Sequence, residues 1–371
     1  MDNKRAGKNA SQPQDYKAFI PNPLPPKPPL SLIFRYQEKG KISENKSVAS
    51  PFVLSPMASL TSWPLRILCQ RYGAGCTISE MAKPEYIVRQ PGSSRNRKLL
   101  ARHPDERFTG VQLVGADPFQ MQEAAKIVAD MGFDFIDLNA ACPARRIRKH
   151  GAGGALLENP DRIAPLLRAL AKGGLPVTIK LRSGSKQTPR AAIEALKIAD
   201  DCGVSAIWFH ARSIHDSYDC GRKPDHNFSS EVVASAVAPV FVGGGIETAS
   251  EAVRVLRETG AAGVLIARGA IGNPFIFRDA IALLNGSKTT PVPLGEVLSV
   301  MLEHFNGILT LMGENKACHL MRTLFQHYLG AEKAFEPFVE KGKKAATSRQ
   351  VLAIIEDMNG GSGGHPLYAS Q

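Results

Sequence analysis

The 371-residue chain lacks several features that would have settled its class early. No apolar run approaches the ~18 residues of a membrane-crossing helix, and no membrane partner is expected. The first residues, MDNKRAGKNASQPQDYK, have no apolar stretch of the kind that marks a secretory signal, so a cytoplasmic location is expected. The six cysteines (Cys69, Cys76, Cys142, Cys202, Cys220, Cys318) are far apart and include no CxxC pair. That spacing excludes the usual disulfide framework and zinc cluster, so no metal is expected and each thiol is judged singly. Acidic residues are outnumbered, 34 against 46 Lys and Arg, for a formal charge of +12. Such an excess gathers a polyanion such as RNA with salt-dependent affinity, but it also serves plain solubility. The charge alone does not choose between them.

What is abundant is turn-formers, 33 glycines and 26 prolines, as a fold of many short elements requires. Residues 1–50 read as an extension, with PNPLPPKPPL at 21–30 favouring an extended, flexible strap. From residue 51 short β-rich apolar runs take over, at 53–54, 76–79, 111–114, 135–138, 177–181, 206–209, 240–242 and 264–267. Helix-like segments lie between most of them, at 118–131, 160–171, 189–202 and 249–259, the last bounded by Thr248 and Gly260. Eight strands alternating with helices over 51–290 predict a closed (β/α)8 TIM barrel. An open doubly wound sheet would carry a glycine-rich turn after its first strand, where this chain has Ser55-Pro56-Met57. The stretch 82–110, with Arg89, Arg95, Arg97, Lys98, Arg102 and Arg107, is long for a connection and is expected to be functional. Beyond 290 only helical patterns remain, at 294–311, 317–329 and 348–358, so 291–371 is a smaller helical domain with a flexible tail.

The active site of such a barrel lies at the carboxyl ends of its strands. After the seventh stands Gly243-Gly244-Gly245 and after the eighth Arg268-Gly269-Ala270, backbone donors and a guanidinium suited to phosphate. A tight turn alone would also explain the glycines. Lys180 and His210 close the fifth and sixth strands, and Gln112, on the third, can donate and accept at once. Asn139-Ala140-Ala141-Cys142-Pro143 follows the fourth. A thiol over the barrel mouth can serve as acid or nucleophile, and Arg145, Arg146, Arg148 and Lys149 follow it directly. The other cysteines read as structural.

The segments SPMASLTSWPLRILCQRYGAG, VQLVGADPFQMQEAA, IDLNAACPARRIRKHGAGGALL, VTIKLRSG, FHARS and GVLIARGAIGNP together resemble the tRNA-dihydrouridine synthases, in register over 52–285. The resemblance implies an FMN-binding barrel, a helical domain that helps hold tRNA, and a monomer. By position, Pro56, Met57, Gln112, Lys180 and His210 would contact the flavin ring and ribityl chain, and Gly243, Gly244, Ala267 and Arg268 its phosphate. Asn139 would address the target uracil, with Arg146 and Arg212 on the RNA side. NADPH would reduce the flavin, hydride would pass to C6 of the base, and Cys142 would protonate C5. Val242-Gly243-Gly244-Gly245 departs from the family's Gly-Asn-Gly-Asp, Ala140-Ala141 from Met-Gly, and Ala211 and Ser213 from the Gly and Thr of His-Gly-Arg-Thr. Three other readings stay open: a flavin barrel acting on a small molecule in the manner of dihydroorotate dehydrogenase, dihydrouridine formation in ribosomal RNA, and a non-catalytic RNA-binding barrel.

Overall fold

The computed structural model describes residues 32–38, 41–48, 50–185, 188, 190–216, 223–361 and 366–368. The proline-rich segment 21–30 and Cys220 lie outside the described residues. Ahead of the barrel, β1 (Leu32–Glu38) pairs antiparallel with β2 (Lys41–Val48). Eight parallel strands then close into a barrel: β3 (Phe52–Leu54), β4 (Thr77–Ala82), β5 (Thr109–Leu113), β6 (Phe135–Ala140), β7 (Val177–Arg182), β8 (Ala206–His210), β9 (Val240–Gly243) and β10 (Gly263–Ile266), with β10 pairing back onto β3. The expected (β/α)8 barrel is the fold, and each expected strand is present.

Around the strands run α1 (Trp63–Arg71), α2 (Pro84–Arg89), α3 (Ser94–Leu99), α4 (Pro118–Asp130), α5 (Arg145–Arg148), α6 (Ile163–Ala171), α7 (Ala191–Asp201), α8 (His226–Ser235), α9 (Ala249–Thr259) and α10 (Ile276–Leu284). Local chemistry explains several boundaries. Thr248 and Glu251 form a reciprocal capping box that starts α9, and Gly260 ends it at φ +64°. Asp117 caps α4 by accepting the N–H groups of Phe119 and Gln120.

Inside the barrel, side chains alternate with period two, so that Phe135, Asp137 and Asn139 share the inner face of β6. The floor is aromatic: Phe108 and Phe135 lie 5.4 Å apart, and Trp208 and Phe241 4.7 Å. Gly110 and Gly263 make room for it. A Cβ at Gly110 would strike the Phe135 ring, and one at Gly263 the carbonyl oxygen of Pro51 and the Phe241 ring. This apolar plug fills the lower barrel, and the large cavity lies at its upper end.

The stretch 82–110 is braced rather than loose. Asn96, buried, donates to the carbonyls of Tyr86 and Gln90 at 2.7 and 2.8 Å, holding α2 against α3. Arg66 and Glu106, both fully buried, pair at 2.6 Å, and Arg66 also donates to the carbonyls of Thr61 and Ala101. Thr61 in turn hydrogen-bonds the N–H and carbonyl of Met57, so this ion pair fixes the loop that follows β3.

The helical domain comprises α11 (Leu294–Met312), α12 (Glu314–Leu329), α13 (Glu336–Lys344) and α14 (Ser348–Gly361). It shares apolar surface with the barrel. Its core takes in Leu68, Ile271 and Phe275 from the barrel side. Arg71 forms a two-pronged pair with Glu303, Tyr72 donates to Glu296 at 2.9 Å, and Gly272 sits against the backbone of His327 so closely that a Cβ would not fit. Within the tail, β12 (Pro366–Tyr368) pairs with β11 (Val292–Pro293).

Candidate active site

The register of the barrel sets the site. Parallel pairing puts Met81 beside Gln112, Gln112 beside Asp137, Asn139 beside Lys180, Arg182 beside His210, and His210 beside Gly243. Met81, Gln112, Asn139, Lys180, Arg182, His210 and Gly243 line one cavity of about 810 Å3 at the carboxyl end of the strands, while Asp137 lies fully buried beneath it. Pro56, Met57, Gln112, Asn139, Cys142, Arg146, Lys180, His210, Arg212, Gly243, Gly244, Ala267 and Arg268 all line it, so the structure brings together every residue that the family resemblance assigned a role, while Arg145, Lys149, Gly269 and Ala270 do not line it.

A buried hydrogen-bonded chain runs beneath one wall. Trp208 Nε1–H donates to Thr178 Oγ1 at 2.9 Å, and the Thr178 hydroxyl donates to Asp137 at 2.8 Å. Gln112 Nε2–H donates to the other Asp137 oxygen at 2.7 Å, and Gln112 Oε1 accepts from Asn139 Nδ2–H at 2.7 Å. Asn139 Oδ1 then receives the N–H groups of Ala141 and Cys142. Its carbonyl is spent on the loop, and its amide also reaches Met81 Sδ at 3.8 Å, a weak contact to a thioether that a better acceptor on a ligand would displace. The Cys142 carbonyl accepts the N–H of Gly154 at 2.9 Å. A Cβ on Gly153 or Gly154 would crowd that carbonyl, so the Gly-Ala-Gly-Gly turn packs directly under the half-buried thiol.

Electrostatically the cavity is cationic. Burial pushes the Lys180 ammonium below its ordinary range, the Asp137 carboxylate opposes that shift, and Arg182 adds to it. Burial raises Asp137, against hydrogen bonds from Gln112 and Thr178. His210 is held well below the usual imidazole range by burial and then by Arg182, Lys180, Arg212 and Arg268, so it is neutral at pH 7. Arg268, partly exposed, pairs with Glu247 at 3.0 Å.

Two members were missed in the sequence. Arg182 is fully buried at the end of β7 and donates to the carbonyl of Ser213 at 2.7 Å. Asp137 orders the chain under Cys142. Each carried a signal, a charge on an inward position of an apolar strand, two residues from a nominated one. The helix α8, also unforeseen, begins at Asp225, whose carboxylate caps the N–H of Phe228.

Against known proteins, the dihydrouridine synthase family model matches residues 53–359. The tRNA-dihydrouridine synthase B of Proteus vulgaris is 36% identical over 309 residues, covering 82% of this chain and 94% of that protein. Its counterpart in Pasteurella multocida is 34% identical over 278 residues, covering 74% and 82%. Among solved structures, 6-hydroxypseudooxynicotine amine oxidase from Pseudomonas geniculata N1 aligns with a TM-score of 0.49 at 14% identity, over 69% of this chain and 50% of that one. With the family model spanning the barrel and the helical domain, and with the motif residues gathered on one cavity, this chain belongs to the dihydrouridine synthase family.

Proposed function

We propose that the protein reduces uridine to 5,6-dihydrouridine in tRNA in the cytoplasm, with FMN as its bound cofactor and NADPH as reductant. The observation that carries this reading is the placement of Cys142 across the cavity from Gly243, Gly244 and Arg268. In the closed order of strands, β6, which carries the thiol loop, stands opposite β10.

The residues present fit FMN. A volume of about 810 Å3 lies within the ~300–1,000 Å3 of small-molecule sites. Gly243 and Gly244 keep a recess open beside Arg268 and Ala267: a Cβ on Gly244 would come within 2.9 Å of the His210 ring, and one on Gly243 within 2.8 Å of the Leu265 Cβ. Backbone donors and a guanidinium there suit a phosphate, although the family's Asn and Asp side chains are absent. Pro56 and Met57 offer an apolar face to the ring system, and Gln112, Lys180 and His210 offer polar contacts along its edge. When bound, the reduced flavin supplies the reducing equivalents that saturate the 5,6 bond.

The chain's own residues do the rest. Cys142 gives a proton to C5, where negative charge collects once C6 is reduced. Asn139 holds the loop that carries the thiol, and the N–H it now directs at the weak acceptor Met81 Sδ turns to the uracil instead. Arg146, exposed on the rim, meets RNA phosphates, and the buried Arg212 joins Lys180 and Arg182 in keeping the cavity positive beneath the substrate. The target base has to leave its stack, at a cost of a few kcal/mol that contacts in the cavity offset.

Purified protein should be yellow, and with NADPH should form dihydrouridine in tRNA taken from cells lacking it. RNA binding should weaken steeply with salt, by ~0.7–0.9 log units of affinity per log unit of salt for each phosphate contact. Colourless protein, or uridine left unreduced in every tRNA, would overturn the reading. Mapping the product in total RNA separates tRNA from ribosomal RNA.

A further inference from the structure

A second cavity, of about 470 Å3, opens beside the first on the same face of the barrel. Its walls come from the segments after β4, β5 and β6: Lys83 and Arg89, then Asp117 and Gln120, then His150, with Arg162 at its side. The single turn of α5 separates the two spaces. Arg146 and Arg148 line the first, and Ile147 lines the second. Nothing in the reduction chemistry above uses this second space.

Its lining suits an anion joined to a flat polar ring. Glu85 lies 3.4 Å from Lys83, and the Asp117 carboxylate is occupied in capping α4. Arg89 and Arg162 have no carboxylate within ion-pair distance among the described residues, so two guanidinium groups remain uncompensated. The side-chain carbonyl of Gln120, a lining residue, is shut off from solvent and accepts no hydrogen bond, so a turn of this side chain toward the cavity would gain a partner on a base edge. Large exposed apolar side chains are few among the described residues. Two of them, Tyr86 (43% exposed) and Phe119 (65%), stand on α2 and α4, the helices that wall this cavity. Each neighbours a lining residue in sequence, Glu85 and Gln120. Arg95 and Lys83 already lie over the Tyr86 ring, at 5.1 and 5.5 Å, while Phe119 takes part in no ring or cation contact recorded among the described residues. Neither ring lines the cavity itself, but both stand exposed on the helices that form it, and exposed aromatic faces near a cationic groove are the usual seat of an unstacked nucleotide.

We infer that this cavity is a second nucleotide subsite, which takes a phosphate and a splayed base of the same RNA that delivers the target uridine to Cys142; the inference rests on the RNA reading above.

The test uses the full flavin-loaded chain, tRNA from cells lacking the protein, and three variants: Arg89→Ala with Arg162→Ala, the corresponding double Lys variant, and Phe119→Ala. The double Ala variant should bind tRNA about 10-fold more weakly. Its log affinity against log salt should be shallower by ~1.4–1.8, the loss of two phosphate contacts. The double Lys variant should recover most of that slope. Phe119→Ala should lose about 10-fold in affinity with the slope unchanged, as expected for stacking. In each, KM for tRNA rises, while kcat and flavin reduction by NADPH stay within about twofold. Wild-type affinity and slope in all three variants, with the parent protein making dihydrouridine, would overturn the subsite alone. A parent protein that neither binds tRNA nor reduces uridine would overturn the RNA reading beneath it.

Discussion

The backbone N–H of Cys142 donates to Oδ1 of Asn139 at 2.8 Å, and the N–H of Ala141 donates to the same oxygen at 3.0 Å. The thiol is therefore presented by a turn whose anchor is a buried amide, itself held through Gln112 by Asp137. Asn139→Leu keeps the volume but leaves two backbone donors unsatisfied, each a cost of about 1–3 kcal/mol if it stays buried. Dihydrouridine formation should fall by at least about 10-fold with flavin content retained, and alkylation of Cys142 should change in rate. Unaltered alkylation and turnover would show that another contact holds the turn.

Cys142→Ala removes the proton donor, and Cys142→Ser replaces it with a far weaker acid. General acid catalysis typically contributes ~10²–10⁴ in rate, so both variants should lose that much in uridine reduction. NADPH should still bleach the flavin, and the reduced colour should persist when tRNA is added. Normal turnover by Cys142→Ala would place the donor elsewhere.

At the phosphate recess, Arg268→Ala should weaken FMN binding by about 1.5–3 kcal/mol, the range for a hydrogen bond to a charged group. The guanidinium is partly exposed and shared with Glu247 at 3.0 Å, which places the effect toward the lower end. A fluorescence titration of the apoprotein with FMN measures it. Equal affinity in wild type and variant would remove Arg268 from the site.

Deleting residues 291–371 should destabilise the barrel as well as weaken RNA binding. The cut would bare Leu68, Ile271 and Phe275 and leave Arg71 and Tyr72 without Glu303 and Glu296. We expect aggregation, or a melting temperature well below that of the full chain. A soluble, yellow fragment of unchanged stability would mean that the shared core contributes little.

Acid should loosen the helical domain before pH 4. His304, buried on α11 with Nδ1 3.0 Å from the Tyr328 hydroxyl, has its pKa pushed down to about 4 by burial. Between the unfolded value of about 6.5 and the folded one, the unfolded chain binds the extra proton, so stability is complete above the upper value and declines as pH falls. The loss reaches about 3 kcal/mol by pH 4. Urea unfolding at pH 7, 5.5 and 4.5 should show it, and His304→Gln should flatten the decline. A wild-type profile that is already flat would rule it out.

Much of this was written locally in the chain. Alternating short apolar runs and capped helices specify a (β/α)8 order without knowledge of any contact, because period, propensity and turn chemistry are properties of neighbours. Once a barrel is inferred, residues just past its strands must converge on one mouth, which is why Cys142, His210 and Arg268 could be nominated by position alone. Closure and register decided the rest. Arg66 meets Glu106 across 40 residues, and Gln112 meets Asp137 across 25, only when neighbouring segments pair in one register. The same holds for Arg182 joining the cavity wall, for the stretch 82–110 becoming a brace, and for Leu68 and Phe275 belonging to the helical domain's core. Which side chains meet at such separations depends on three-dimensional packing; the local pattern marks Asp137 and Arg182 only as charges on inward strand positions and does not say what they meet.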